Sequence, residues 1–583
     1  MSNPESGAAT FTFAKHTHNI FSLPVELLHI IFSAVLTGSF WAFRDDDPSS
    51  DETNVDINVA KVRTELQLVC KLWQSSVLSC PGLWAYIDLE FLSPDAVWRS
   101  VRLAGSAPLW LSSIRRTLRG AGERSEVQDA ELAAELLERE GHRIAVLLLS
   151  APVYAEVSTR AQTTPLTLPR EATALQYLEL SIPEEHALAS DPLWPLLLAR
   201  APNLTFLKLS GMSHQPCWAA LSTSAPITRL RYLTLQCARG VALADLASLL
   251  RRLRGLQDLT LRDVGFVEST QDAAVALENA CAVELPRLRS LRIENMHSTI
   301  FCLLRKLALP PHVRVILHAM SMDGADTAAV LRGFAQVAAR IPPADVYDLS
   351  LRLGESHLEV YGHRRGPTRF AEIHLPEREP ALVLQLGWAQ SPADPHPTAV
   401  HFVRGICACL PLEHARLLTL RLPSMLGAVH AAIGALRPVF ARLVHVEEVY
   451  VDDSVNAVCM ASLRTLLRVD DGEPAPLPQL AALWFEKWRP WCPECAADFM
   501  RDLCEVLRAR ATGGLPIARV LVQSWYGLNV PDDVAATVRA LVPEFSEKVT
   551  PPESPWTARH ICIHKMEGVK LMLVEPGFPV AIA

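Results

Sequence analysis

One pattern constrains this chain more than any other. Leu-x-x-Leu-x-Leu frames stand at Leu175/Leu178/Leu180, Leu204/Leu207/Leu209, Leu230/Leu233/Leu235 and Leu256/Leu259/Leu261, and Leu288/Leu291/Ile293 continues them. Their starts lie 29, 26, 26 and 32 residues apart. Seven strict frames occur in the chain, where about two are expected by chance at this leucine content. Two of the seven, at Leu193 and Leu304, fall off the regular spacing and read as helical or accidental. The segments between frames are amphipathic: Leu243, Leu246, Leu249, Leu250 and Leu253 make a helical stripe before Leu256, and Leu193, Leu196 and Leu197 do so before Leu204. Each unit therefore reads as strand, loop, helix. Neither element can bury its apolar side alone, so neighbouring units must stack.

A period of this size fits leucine-rich repeats, here stretched and irregular. The pattern fades between about 295 and 400, where Leu309-Pro310-Pro311 and Pro392-Ala393-Asp394-Pro395-His396-Pro397 intervene. Weaker frames stand at Val346/Leu349/Leu351 and Phe370/Ile373/Leu375. It resumes at Leu417/Leu420/Leu422, Val446/Val449/Val451, Leu480/Leu483/Phe485 and Ile517/Val520/Val522. Stripes at Ile433, Leu436, Val439, Phe440 and Leu443, and at Phe499, Leu503, Val506 and Leu507, precede two of these. The expected fold class is an α+β or α/β repeat: an irregular leucine-rich-repeat α/β solenoid over 93–545, with 546–583 as an irregular cap or tail.

Composition narrows the chemistry. The chain holds only 26 Gly against 42 Pro, which argues against glycine-rich phosphate loops and for many short elements. Lys+Arg 55 against Asp+Glu 63 gives a net charge of −8 with no long basic run, so nucleic acid is not expected as the main partner. The 13 cysteines are scattered and mostly flanked by apolar residues. They read as reduced thiols of an intracellular protein, cytoplasmic or nuclear. Met1 to Lys15 has no signal-peptide character, and residues 1–19, which include His16 and His18, are expected to be disordered. Leu27 to Phe43 is mostly apolar but short of a span, so it reads as a buried or interface helix and no membrane is expected. In an intracellular chain the sequon Asn203-Leu204-Thr205 carries no meaning.

No catalytic constellation stands out. Gly-Lys phosphate loops, Gly-x-Gly-x-x-Gly, His-Glu-x-x-His and Gly-x-Ser-x-Gly are all absent. Cys492-Pro493-Glu494-Cys495 has the spacing of half a zinc site, but no second pair matches it; Cys504 is helically placed, and His560, Cys562 and His564 lie far along the chain. Trp484, Trp488 and Trp491 nearby read as packing at a repeat edge, and Asp452-Asp453 and Asp470-Asp471 as solvated loop ends. The expectation is no enzyme, no cofactor and no metal.

The N-terminal part differs from the repeats. Phe21-Ser22-Leu23-Pro24-Val25-Glu26 opens a helix, with Pro24 suited to its first turn and Glu26 at the positive end of its dipole. Leu27, Leu28, Ile31, Phe32, Val35 and Leu36 form a broad apolar face that Ile30 widens. Residues 37–63 break the pattern, with the charged run Asp45-Asp46-Asp47-Pro48-Ser49-Ser50-Asp51-Glu52. Helical spacing returns at Leu66, Val69, Cys70, Trp73 and Val77, followed by Cys80-Pro81-Gly82-Leu83-Trp84 and a strand-like alternation over 84–89.

Residues 20–92 resemble an F-box. The resemblance rests on Leu23-Pro24-x-Glu26-Leu27-Leu28-x-x-Ile31-Phe32, then Leu66-x-x-Val69-Cys70-Lys71-x-Trp73, then Leu83-Trp84. The insertion 37–63 is longer than the usual link. Long inserts here, and the phrase Ala104-Gly105-Ser106-Ala107-Pro108-Leu109, are similar to the large F-box-like families of mushroom-forming fungi. The resemblance implies a small all-α module that binds a Skp-type adaptor of a cullin–RING ubiquitin ligase through Leu23, Pro24, Glu26, Leu27, Leu28, Ile31, Phe32, Val69, Cys70 and Trp73. The repeats would then present an unknown protein substrate, and ubiquitin conjugation would take place on the recruited ligase. The alternative is a non-catalytic repeat scaffold whose F-box-like segment is a degenerate cap without ligase association.

Overall fold

The computed structural model describes residues 23–41, 59–89, 91–113, 126–163, 172–182, 193–212, 226–267, 282–294, 300–310, 312–322, 348–353, 357–363, 382–388, 414–421, 429–452, 475–488, 493–524 and 532–549, with single or paired residues at 221, 405, 410, 412, 463–464 and 466–467. The expected disordered segment 1–19, most of the insertion 37–63 and residues 550–583 lie outside the described residues. The chain divides into two units, Met1–Leu233 and Thr234–Ala583.

The first unit opens with four helices, α1 (Val25–Trp41), α2 (Val59–Val69), α3 (Lys71–Leu78) and α4 (Pro81–Trp84). The insertion is taken into helix at both ends, since α1 runs on to Trp41 and α2 starts at Val59. The single helical run expected from Leu66 to Val77 is broken at Cys70. That residue is extended (φ −164°, ψ 169°), and its Sγ accepts the N–H of Trp73 at 3.4 Å, capping α3.

A parallel sheet follows: β1 (Tyr86–Asp88), β2 (Leu109–Ser112), β3 (Ile144–Leu149), β4 (Tyr177–Ser181) and β5 (Phe206–Ser210), each paired with the next. Helices α5 (Pro94–Leu103), α6 (Glu126–Glu140), α7 (Ala151–Thr163) and α8 (Leu193–Arg200) fall between them in sequence, as parallel strands require crossover connections. The leucine frames lie in register, Leu178 opposite Leu207 and Leu180 opposite Leu209, and all four are buried. The off-spacing frame at Leu193 is helical, in α8. One glycine is fixed by geometry: Gly211 has φ +76°, and a Cβ there would lie 1.8 Å from the carbonyl oxygen of Ile182.

The strand β6 (Tyr232–Gln236) straddles the division between the units. The second unit contains β7 (Asp258–Arg262), β8 (Val283–Glu284), β9 (Ser290–Glu294), β10 (Leu307–Ala308), β11 (Arg314–Met322), β12 (Asp348–Leu353), β13 (His357–His363), β14 (Leu382–Trp388), β15 (Leu417–Arg421), β16 (Glu448–Asp452), β17 (Ala482–Trp488), β18 (Arg519–Ser524) and β19 (Glu544–Val549). From β7 to β9 to β11 the pairing is parallel, and from β15 through β19 it is parallel again. Between these runs the order reverses. β11 pairs with β14, β14 antiparallel with β13, β13 antiparallel with β12, and β12 parallel with β15. An antiparallel meander therefore sits where the sequence pattern fades. The weak frame at Val346/Leu349/Leu351 supplies β12, while Phe370/Ile373/Leu375 lies outside the described residues. The off-spacing frame at Leu304 is helical, in Ile300–Lys306.

One hydrogen bond recurs at most of the frames. The first apolar residue donates its N–H to the carbonyl three residues earlier: Leu204 to Ala201, Leu230 to Ile227, Leu256 to Leu253, Leu288 to Leu285, Val446 to Leu443 and Leu480 to Leu477. Ala415 makes the same bond to Leu412, and Leu418 and Leu420 stand opposite Val449 and Val451. The frame at β15 is thus Ala415/Leu418/Leu420, which corrects Leu417/Leu420/Leu422 by two residues. A slip of two leaves each side chain on its original face, so hydrophobicity alone could not separate the two frames. At the far end β19 reaches Val549, so the sheet includes the first residues of the segment expected as a tail.

Candidate functional site

The four-helix head is built around two residues of α1. Leu28 and Phe32, one turn apart, are buried, and Phe32 meets Trp73 of α3 edge-on at 4.8 Å between ring centroids. His29 Nε2 lies 3.0 Å from the carbonyl oxygen of Ser76, tying α1 to α3. The Trp84 Nε1–H donates to the Val77 carbonyl at 2.9 Å. Pro24 precedes the first helical residue rather than occupying it, and its carbonyl accepts the N–H groups of Leu27 and Leu28.

A buried guanidinium completes this core. Arg63 of α2 is only 3% exposed. Its Nη1 donates to the Leu83 carbonyl at 3.2 Å, and its Cζ lies 4.4 Å from the centroid of a Trp84 ring. Burial pulls its pKa down to about 10, because removing a cation from water favours the neutral form. Stacking on an indole and one carbonyl acceptor offset part of that cost.

The outer side of the head is also apolar. Leu27 is 45% exposed, Ile30 64%, Ile31 41% and Val35 45%. The α2–α3 junction adds Leu68, Val69 and Leu72, all exposed. A helix apolar on both sides is usually covered on both, yet among the described side chains of α1 only Leu28 and Phe32 are buried. The residues that the F-box resemblance singles out therefore separate into two groups. Leu28, Phe32 and half-buried Trp73 hold the head together, and half-buried Cys70 caps α3. Pro24, Glu26, Leu27, Ile31 and Val69 face solvent, with Leu23 half-buried at the start of α1. Leu68 and Leu72, outside that set, belong with the exposed group; their exposure follows from the break at Cys70, which helical spacing alone does not reveal.

A second feature is the sheet face that bears the residues between the frame leucines, where Val146, Tyr177 and Phe206 are buried. In the first unit it is aromatic: Tyr86 stands opposite Trp110, Trp110 opposite Val146, Val146 opposite Tyr177 and Tyr177 opposite Phe206. Tyr177 and Phe206 stack at 3.9 Å. Above them Glu179 accepts from the Tyr177 hydroxyl at 3.1 Å and pairs with Lys208 Nζ at 3.1 Å. In the second unit Tyr450 and Trp484 stack at 5.4 Å, and burial raises the pKa of the adjacent Glu448 carboxyl, with Arg519 opposing the shift.

Cys80, Cys302 and Cys504 are buried thiols. Cys495 lies in the helix Pro493–Thr512, while Cys492, Trp491, His560, Cys562 and His564 lie outside the described residues. Among the described residues no cluster of three or more His, Cys, Asp or Glu could hold a metal ion, and no helix is long and apolar enough to cross a membrane. The amide of Asn203 is engaged within the fold: Nδ2 donates to the Thr173 carbonyl and Oδ1 accepts from Arg229.

No protein-family model matches the chain, and no curated protein matches it. Among solved structures it is similar to a chain from the crystal structure of the Rad7 and Elc1 complex in yeast. The two are 12% identical, the match covers 70% of this chain and 90% of that one, and the TM-score is 0.23. A likeness at that TM-score fixes neither fold nor function for this chain.

Proposed function

We propose that this protein is an F-box-type substrate receptor: the helical head docks a Skp-type adaptor of a cullin–RING ubiquitin ligase, and the repeat units hold a protein substrate. The observation that carries the reading is the exposed apolar face of α1, Leu27, Ile30, Ile31 and Val35, joined by Leu68, Val69 and Leu72. Covering each such side chain is worth up to roughly 1.5–3 kcal/mol, and this concentration on a small helical module marks an interaction site. Conjugation chemistry belongs to the recruited ligase, so the chain needs no cofactor or catalytic residue, and it works in the cytoplasm or nucleus.

The test is co-purification of a Skp-type adaptor with the full-length protein and with Ile31→Glu. Ile31 is exposed, so the variant keeps the wild-type circular dichroism while adaptor recovery collapses. Equal recovery with both proteins would sink the assignment.

A further inference from the structure

The N-terminal edge of the strands β7, β9 and β11 is rich in arginine. These strands are parallel neighbours, so the residues that lead into them share one edge of the sheet. Backbone hydrogen bonds hold the leads side by side. The Arg289 N–H donates to the Gln257 carbonyl at 2.6 Å, and the Arg314 N–H to the Arg289 carbonyl at 2.7 Å. Beside them β8 pairs in parallel with β10, which sets the end of the helix Ile300–Lys306 next to the chain entering β8. The helix Leu243–Arg252 ends just ahead of the lead into β7.

The charge on this edge is one-sided. Residues 251–258, 283–290 and 305–314 carry eight Lys and Arg against two carboxylates, Asp258 and Glu284. Some of these cations have a local reason. Arg251, Arg252, Arg305 and Lys306 close helices, where the dipole favours positive charge. Arg287 and Arg289 have no such reason, because they flank Leu288 after a strand, β8. Both are exposed, as is Arg254, and none of the three is in an ion pair among the described residues. The feature is local to these strands. The corresponding positions around Leu480 and Ile517 hold Gln479, Ala481, Pro516 and Ala518, and Arg416, beside Ala415, is paired with Glu447 at 3.0 Å.

We infer that this Arg254–Arg287–Arg289 edge docks an acidic segment of a partner protein. Charge complementarity selects the occupant, since a local excess of unpaired cations attracts a polyanion even in a chain whose net charge is −8. A protein segment is favoured over single-stranded nucleic acid, which is held by aromatic platforms that its bases stack on; the three stretches contain no Phe, Tyr or Trp. Under the receptor reading above, that partner is the substrate; the binding itself does not depend on the adaptor.

The experiment uses the full-length protein without adaptor and a fluorescein-labelled octaglutamate peptide, read by anisotropy, with labelled octalysine and a labelled single-stranded oligonucleotide as comparison probes. Octaglutamate binds, octalysine does not, and added salt weakens the binding as it screens exposed charge. Arg287→Gln combined with Arg289→Gln lowers octaglutamate affinity about ten-fold or more. Both side chains are exposed, so circular dichroism stays that of the wild type. Arg254→Glu lowers the affinity as well. Arg501→Gln, on the exposed side of the helix Pro493–Thr512, leaves it unchanged. Octaglutamate affinity that is absent, that survives the double substitution, or that falls equally in Arg501→Gln overturns the inference. So does an oligonucleotide that binds this edge when octaglutamate does not. Because no adaptor is present, any of these results leaves the adaptor reading standing.

Discussion

At the residue scale, the exposed and buried halves of α1 predict opposite mutational outcomes from adjacent positions. Phe32→Ala removes a buried ring that packs on Trp73 and should destabilise the head by about 3–5 kcal/mol, measurable by denaturant unfolding of the full chain. Leu27→Ala, at an exposed position, should leave the same transition almost unmoved. Glu448 gives a pH-dependent prediction. Its carboxyl pKa is raised by burial, so the folded state favours the protonated form and the charged form costs stability above the usual carboxylate range. Glu448→Gln should therefore raise the melting temperature at neutral pH, and the gain should vanish as pH falls below that range. A gain that persists in acid would contradict the assignment of the cost to the carboxylate charge. None of this was legible in sequence: Glu448 reads there as an ordinary polar residue between frame valines.

At the element scale, the tandem frames located β4, β5, β6, β7, β9, β16, β17 and β18, because each puts an apolar side on a strand, and at all but the last a turn hydrogen bond positions the first residue. The alternation over 84–89 marked β1, but β3 escaped for an identifiable reason. β3 uses Ile144/Leu147/Leu149, whose frame is correct in spacing but opens on isoleucine, and its second face is buried too. The meander β12–β13–β14 was hidden because antiparallel pairing needs no crossover helix and so no repeat period. The turn phrase Ala104-Gly105-Ser106-Ala107 gains a structural role. Gly105 adopts φ +54°, and Arg143 donates to the carbonyls of Val101, Gly105 and Ala107 while pairing with Glu140. Arg143→Ala strips these carbonyls of their donor and should cost about 1–3 kcal/mol. Faster amide exchange confined to 101–107 and the flanking β2 would place the loss there; exchange unchanged in this turn would refute the latch.

At the scale of the whole molecule, the proposed receptor would recruit through its helical head and hold a substrate on its repeat units. The head's apolar pattern was visible in sequence, but not its division: Leu28 and Phe32 look equivalent to Leu27 and Ile31 until packing against Trp73 and Ser76 assigns a side to each. The most direct measurement is a calorimetric titration of a purified Skp-type adaptor into the full-length protein and into Leu27→Glu. The account predicts a stoichiometric complex with the wild type and none with a normally folded Leu27→Glu. A folded wild-type protein that gives no binding heat with the adaptor, or a variant that binds equally well, would contradict it and leave a repeat scaffold with a helical cap.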